Sequence, residues 1–434
     1  MCKEPGAVAF EKEKINIGIT SIGSGIGQSV VDSCRLSNIP MKVIGHGLNP
    51  FAFGSFDCDE QKYVPSIYSG DYIEKLLHAC ATDSIRILIP GLDDELMLLA
   101  ENIDKFNNAG VRIPISGRKM LELCRDKELM SRALNREAEY FVKSYSKDAL
   151  IQAARRSEIQ YQLIAKPISG FSSKGLLIIK GPDDLGLITC RHVIQEIAVP
   201  RSTDPCYREF MDGLEKNIVS QVGEISLQIV IGKNGRELGR YASYNRLRQG
   251  IPIEIIPADV PDAWASVDRL LPIFHEYGLY GPLNIQGRIT HKGPRFFEMN
   301  ARFTGITGLR AMTGFNEVEA IVADVVDFLD PGFKLQQDLR KIGLRQVKSR
   351  VVDVEENTDL ANAVHATGVY PWVTRGRTVM VTGANSYLGR TVLATLLATP
   401  GIQKVIALVR NSARFDGVNG LLCLPELRFW IFPH

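Results

Sequence analysis

Residues Phe296-Phe297-Glu298-Met299-Asn300-Ala301-Arg302-Phe303 decide how the rest of this chain is read. An apolar run carries a carboxylate, a carboxamide and a guanidinium at alternate positions. In a strand, side chains two residues apart share a face. Glu298, Asn300 and Arg302 then project together. Two oxygen donors beside a cation suit Mg²⁺ and phosphate. Upstream, Leu283-Asn284-Ile285-Gln286 offers a second strand with polar residues two apart. The pair predicts a metal–nucleotide site built on a sheet.

Composition bounds the alternatives. The chain has 434 residues, 45% of them apolar and 23% charged, which predicts two or three domains with packed cores. A net charge of +2 gives no reason to expect nucleic acid or an anionic membrane as partner. No apolar stretch is long enough to span a bilayer. The start, MCKEPGAVAFEKEK, is charged where a signal peptide is apolar, so a cytoplasmic location is expected. The eight cysteines are scattered, without a C-x-x-C pair, which argues against zinc and against a disulfide framework. No H-E-x-x-H or G-x-S-x-G motif is present.

The first segment reads as α/β. Ile15 to Thr20 is a short strand, Gly23-Ser-Gly-Ile-Gly27 a turn, and Gln28 to Leu36 a helix. Met41 to Gly45 and Arg86 to Pro90 are further strands, the latter followed by a helix from about Asp93 to Asn107. Val111 to Pro114 continues the alternation, and such order implies a mainly parallel sheet. A dinucleotide fingerprint would need its third glycine at Gln28, so the turn does not meet it. Asp93-Asp94-Glu95 follows a strand, where such sheets bind ligands, yet acids also suit a helix start.

In the middle of the chain, Arg125-Asp126-Lys127 opens a helix. Leu163-Ile-Ala-Lys166-Pro167 is an apolar strand with one lysine, costly to bury unless an anion meets it. The Gly/Ser-rich loop 169–175 can bring backbone N–H groups to phosphate, and Leu176 to Ile179 returns as a strand. His192 to Val199 is β-prone. Tyr207, Phe210, Met211, Leu214, Ile218 and Val222 have helical spacing, predicting a helix over 206–222. Glu224 to Ile231, the turn Lys233-Asn-Gly235 and a strand to about Tyr244 form a hairpin leading into Asn245-Arg246-Leu247-Arg248.

Taken in order, these pieces resemble the ATP-grasp superfamily, in the style of its carbamoyl-phosphate-synthase-like and amino-acid-ligase members. The likeness covers roughly residues 15–330. It implies an α/β (α+β) chain. A tail (1–14) would precede a Rossmann-like pre-ATP-grasp domain (15–125), an ATP-grasp fold (126–335) and a connecting segment (336–375). It also implies roles. Lys127 and Lys166 would contact the ATP phosphates, and the loop with Ser169, Gly170 and Gly175 would close over them. Gln195, Glu196, Ile197 and Ala198 would form the hinge that reads adenine, with 208–211 as the alternative. Glu224 would lie near the ribose. Gln286, Glu298 and Asn300 would hold Mg²⁺, or Mn²⁺ in its place, and Arg246 and Arg302 would act on the transferred phosphoryl group. Gln286 stands where many relatives carry an acid, which points toward the carbamoyl-phosphate-synthase-like branch. The implied activity is a carboxylate–amine ligase that uses ATP and forms an acyl phosphate. Its substrates would be a small carboxylate and an amine, and a homodimer is open. The loop Thr304 to Gly308, continuing through Gly314, is read either as lining the acceptor pocket or as an ordinary strand-to-helix turn.

A different pattern starts at Arg377. Thr378-Val-Met-Val-Thr-Gly383-Ala-Asn-Ser-Tyr-Leu-Gly389 resembles the opening of an extended short-chain dehydrogenase/epimerase, with Ile402 to Arg410 as a second strand. Ser386 replaces the usual central glycine. Residues 376–434 thus read as an incomplete C-terminal βαβ unit, a truncated NAD(P)-binding Rossmann fragment. An NAD(P)-dependent epimerase or dehydratase and a non-catalytic ATP-binding module are the alternative functions.

Overall fold

The computed structural model describes residues 14–346, except 157, 160, 168–175, 219 and 249–250, together with 377–384, 386–397, 402–409 and 427–431. Ser169, Gly170, Gly175 and most of the connecting segment lie outside the described residues. Contacts divide the chain into a large unit, residues 1–47 with 52–348, and a small unit, 48–51 with 349–434.

The large unit begins with β1 (Ile15–Ile19), α1 (Gly25–Arg35), β2 (Met41–Gly47), β3 (Glu60–Tyr63), α2 (Tyr72–Thr82) and β4 (Ile87–Ile89). Their sheet is parallel, in the order β3-β2-β1-β4. Helix α1 starts three residues before the expected Gln28. Ser24 caps it by accepting from the Gly27 N–H at 2.9 Å, so the glycine turn is itself the first helical turn. The expected helix 93–107 is two, α3 (Asp93–Glu101) and α4 (Ile103–Asn108). Between them the Asn102 carboxamide donates to the Leu98 carbonyl at 2.9 Å, the local competition by which asparagine interrupts helices. Helices α5 (Arg118–Arg125) and α6 (Lys127–Leu134) follow, with Asp126 capping α6.

Two antiparallel sheets make up the rest. The smaller contains β5 (Ser144–Tyr145), β6 (Leu163–Pro167), β7 (Leu177–Ile179) and β8 (His192–Glu196), in the order β5-β8-β6-β7, with α7 (Lys147–Arg155) beside it. Helix α8 is shorter than expected, Tyr207–Glu215. Asn217, at φ +62°, takes the left-handed position after it, and the Ile218 N–H returns to the Gly213 carbonyl, which ends the helix.

The larger sheet is built from β9 (Glu224–Ile231), β10 (Glu237–Arg248), β11 (Ile251–Pro257), β12 (Gly281–Thr290), β13 (Gly293–Asn300) and β14 (Gly343–Leu344). Its order is β13-β12-β9-β10-β11-β14. Helix α9 (Pro261–Glu276) packs Val267, Leu270 and Phe274 against Ile225, Leu227, Ile229, Leu283 and Ile285 in one core. The alternate residues Glu224, Ser226 and Gln228 consequently face the other way. Helices α10 (Thr307–Met312) and α11 (Glu317–Val325) return toward α1. A buried pair, Arg310 with Glu317 at 2.5 Å, joins the two helices, and both groups also bond Thr307.

In the small unit, β15 (Arg377–Thr382), α12 (Tyr387–Leu397) and β16 (Ile402–Val409) form the expected βαβ arrangement. Leu427–Ile431, unassigned from the sequence, is a third parallel strand, β17, on β16. Its apolar run LRFWI is β-prone, which a search for dehydrogenase motifs passes over. None of the described helices is long and apolar enough to cross a membrane.

Candidate active site

The cleft of the large unit, about 1440 Å³, lies over the polar face of the six-stranded sheet. Register builds its floor. Gln286 pairs directly with Glu298, and Asn284 with Asn300, while Ser226 and Gln228 pair with Gln286 and Asn284 from the other side. Directly opposed residues have Cβ atoms about 5 Å apart, so these side chains form one polar ladder. Asn284 donates to Ser226 Oγ at 2.9 Å and to Gln228 Oε1 at 3.1 Å. That leaves its own Oδ1 to accept from Gln286 Nε2 at 3.2 Å. Asn300 Nδ2 donates to Glu298 Oε1 at 3.2 Å.

A register shift between Gln286 and Gly287 leaves Phe297 as an extra residue on β13. Such a bulge breaks the alternation locally. Phe296 is fully buried in the main core, whereas Phe297 lies on the cleft side with Glu298. The Lys166 ammonium sits 5.0 Å from the centre of the Phe297 ring, and Arg288 covers the same ring at 5.4 Å. The bulge thus provides an aromatic seat for two cations next to the carboxylate.

The charges are coupled. Burial acts to raise the Glu298 carboxyl, but Lys127, Lys166, the Asn300 hydrogen bond and Arg302 outweigh it and hold it below the ordinary range. Glu298 is therefore an anion at neutral pH. Burial lowers the Lys166 ammonium to about 8, with Glu298 opposing and Lys127 adding to the fall. Glu224 pairs with Arg288 at 2.7 Å, and burial raises its carboxyl despite Arg288 and Lys166. Arg288 also donates to the carbonyls of Val222 and Ser220, and its ring contact with Phe210 measures 4.7 Å.

Arg302 lies just beyond β13. Its Nη2 donates to Asp93 Oδ2 at 2.6 Å and its Nε to Oδ1, a two-pronged pairing with the first residue of α3. The three acids at that helix start have separate fates. Asp93 takes Arg302. Asp94 takes Arg125 at 3.0 Å. Glu95 is buried and accepts from Thr20 at 2.6 Å and from Tyr72.

Lys127, Lys166, Glu196, Ile197, Ala198, Glu224, Gln286, Glu298, Asn300 and Arg302 all line this one cleft. Gln195 does not. It points the opposite way from Glu196, donating to Ser144 Oγ at 2.9 Å and to the Phe297 carbonyl at 3.2 Å, and so ties β8 to the bulge. Segment 208–211 lies in the first turns of α8 rather than in an extended strand, and none of its residues lines the cleft. Arg246 is exposed at a register irregularity of β10, with Asn245 and Leu247 lining the cleft around it. Thr304, Gly305 and Ile306 line it as well. Sequence reasoning missed Arg288 and Arg345. Arg288 carried the signal used for Lys166, a cation inside an apolar strand. Arg345 follows β14, a strand of two residues.

The donor set suits Mg²⁺ accompanied by phosphate. Among the described residues no group of three or more His, Cys, Asp or Glu could cage a metal alone. Glu298, Asn300 and Gln286 offer three oxygen donors, and Mg²⁺ commonly completes its shell with water and substrate phosphates. Lys127 and Lys166 supply the facing positive charge.

The sequence model of a PylC-like N-terminal domain matches residues 17–114, the region of the parallel sheet. No curated protein matches the chain. Solved structures do. N5-carboxyaminoimidazole synthetase from Staphylococcus aureus, complexed with ADP, is 16% identical over 76% of this chain and 82% of that one, with a TM-score of 0.55. Biotin carboxylase from Campylobacter jejuni is 13% identical over 76% and 74%, TM-score 0.53. The biotin carboxylase domain of Hydrogenobacter thermophilus 2-oxoglutarate carboxylase, a dimer with MgADP and bicarbonate, is 15% identical over 77% and 73%, TM-score 0.52. Nothing in these comparisons supports an epimerase or dehydratase relationship for residues 376–434. The chain shares the α/β fold of these solved structures, and its likeness to a PylC-like N-terminal domain is confined to residues 17–114.

Proposed function

We propose that the chain is a ligase dependent on ATP and Mg²⁺, which activates a carboxylate as an acyl phosphate for attack by an amine or another nucleophile. Residues 15–125 form the domain before the grasp and 126–335 most of the grasp itself. The observation that carries the reading is the register of β12 and β13. It sets Gln286 beside Glu298 and Asn284 beside Asn300, with two lysines acting on the same carboxylate.

Bound Mg²⁺ would supply charge neutralisation at the β- and γ-phosphates. Glu298, Asn300 and Gln286 are the residues that would hold it. Lys127 and Lys166 bind the phosphates, and the 196–198 backbone contacts adenine. Glu224, paired with Arg288, lies near the ribose. Arg302 faces the transferred group, and the carboxylate oxygen of the acceptor attacks the γ-phosphorus as ADP leaves. An amine then attacks the acyl carbon, phosphate departs and the amine loses a proton. Catalysis of this kind is mostly positioning and electrostatics. Arg246 and Gln195 have weaker claims to direct roles, being exposed and turned away respectively.

The test is ADP release from Mg·ATP across a panel of carboxylates and amines. ADP formation that requires both a carboxylate and Mg²⁺ is expected. ATP binding without ADP from any acid would leave a binding module instead.

A further inference from the structure

We propose, on the ligase reading of this cleft, that Gln195 is a positioning residue: by gripping the Phe297 carbonyl it sets the place of Lys166 relative to Glu298. Gln195 itself lines no part of the cleft.

Register sorts the residues of the smaller sheet onto two faces. Leu163, Ala165 and Ile194 share one small core with Leu150. Their neighbours Ile164, Lys166 and Gln195 therefore turn the other way. Gln195 stands between Ser144 on β5 and Ile164 on β6 in a cross-strand row, and Lys166 lies two residues along β6 from Ile164. Ile164 and Lys166 line the cleft on this face, whereas Gln195 is fully buried.

Both Gln195 and Lys166 reach Phe297. The bulge leaves Phe297 without a partner on β12. Gln195 Nε2 donates to its carbonyl at 3.2 Å and to Ser144 Oγ at 2.9 Å. The Lys166 ammonium lies 5.0 Å from the centre of its ring. One face of the smaller sheet thus holds Phe297 by its backbone and by its side chain, and the next residue is Glu298. The chain also crosses between the two sheets here. Phe141 bridges to Phe296, and the Val142 N–H donates to the Phe296 carbonyl at 2.8 Å, just before β5 pairs with β8. Val142, Ala198 and Phe297 form a small apolar core at the crossing. Gln195 Oε1 accepts no hydrogen bond among the described residues, so burying this amide carries a penalty that an apolar side chain would avoid. What the amide adds is a directional bond to the backbone that carries Glu298.

The experiment titrates the full chain with Mg·ATP and reads Kd, with Tm to confirm that each variant is folded. Gln195→Met keeps the length of the side chain and removes both donated bonds. Kd for Mg·ATP should rise roughly tenfold, the scale of one lost hydrogen bond. Ser144→Ala takes away the other bond of the same amide and should leave Kd within about twofold, because the Phe297 bond remains. In a Lys166→Met background, Gln195→Met should add less than about twofold, since both changes disable one contact. Gln195→Asn, one carbon short of Phe297, replaces the methionine variant should that fail to fold. An unchanged Kd in folded Gln195→Met, an equal rise with Ser144→Ala, or penalties that multiply in the double variant overturns the proposal and leaves the ligase reading standing. Wild-type protein that binds no Mg·ATP overturns both.

Discussion

The two antiparallel sheets that face each other across the cleft are built to different depths. The six-stranded sheet has strands of 8, 12 and 10 residues at its centre, and its apolar face shares one core with α9 and the N-terminal domain. The four-stranded sheet has strands of two to five residues over a separate small core of Leu150, Leu163, Ala165, Ile179, Ile188 and Ile194. Opening free energies within a protein follow such differences in buried contact. The carboxylate and carboxamides thus stand on the sturdier sheet, where register fixes their spacing. Lys166 stands on the slighter one. Under the proposed function, the metal ligands would stand on a rigid base and a phosphate contact on an adjustable cover.

The largest test of that contrast is on the base. Glu298→Ala removes the one carboxylate of the donor set and should lower ADP release by about 10³-fold, the scale of losing a preorganised electrostatic contact and more. Thermal stability should hold, because Glu298 faces the cleft and its hydrogen bond is to Asn300. A variant retaining a tenth of wild-type ADP release would remove Glu298 from the metal set.

Much of this base was legible in the sequence, because a half-buried strand announces itself by alternation. Glu224, Ser226 and Gln228 on β9 and Asn284 and Gln286 on β12 follow period two, and the structure keeps them on one face. The Phe297 bulge was not legible, since an extra residue leaves the apolar run FFEM looking continuous. The Asp93–Arg302 pairing joins residues 209 apart, and no local pattern encodes it. Asp126 was legible at the start of α6, whereas the Ser24 cap was not, because the glycines after it read as a turn. The break at Asn102 depends on a side chain choosing its own backbone, which composition does not reveal.

The next test concerns how the base is held together. Glu224→Gln keeps the shape of the side chain but leaves Arg288 without its carboxylate. Arg288 is only 5% exposed in its side chain. Removing one partner of a buried pair costs about 3–5 kcal/mol. Arg288 keeps its carbonyl acceptors and two ring contacts, so a loss near the low end is expected in urea unfolding. An unchanged midpoint would mean that Glu224 serves the nucleotide alone.

Asp93→Asn asks whether the base needs an anchor from the N-terminal domain. The substitution keeps a hydrogen-bond acceptor and removes the charge that grips Arg302. Charge-assisted bonds contribute about 1.5–3 kcal/mol, so kcat should fall by about 10- to 100-fold if Arg302 acts in the transition state. KM for Mg·ATP should barely move, and Asp93→Glu should restore part of the rate. A change in KM alone would place Arg302 in nucleotide binding.

The smallest effect belongs to the cover, and it has two opposed signs. Burial lowers Lys166 to about 8, below its ordinary 10.5. Above pH 8 the free protein increasingly carries a neutral amine where the proposed phosphate contact needs a cation. Affinity for Mg·ATP scales with the competent fraction, so it should weaken about twofold at pH 8 and roughly tenfold at pH 9. Stability should move the other way. From about pH 8 to 10.5 the unfolded chain binds the Lys166 proton more readily than the folded one, so this residue's contribution rises with pH across that window. Lys166→Arg, which stays charged throughout, should flatten both trends. Binding that weakens while this contribution grows is the signature of a lysine held desolvated for an anion. Parallel changes would instead place the titration elsewhere in the fold.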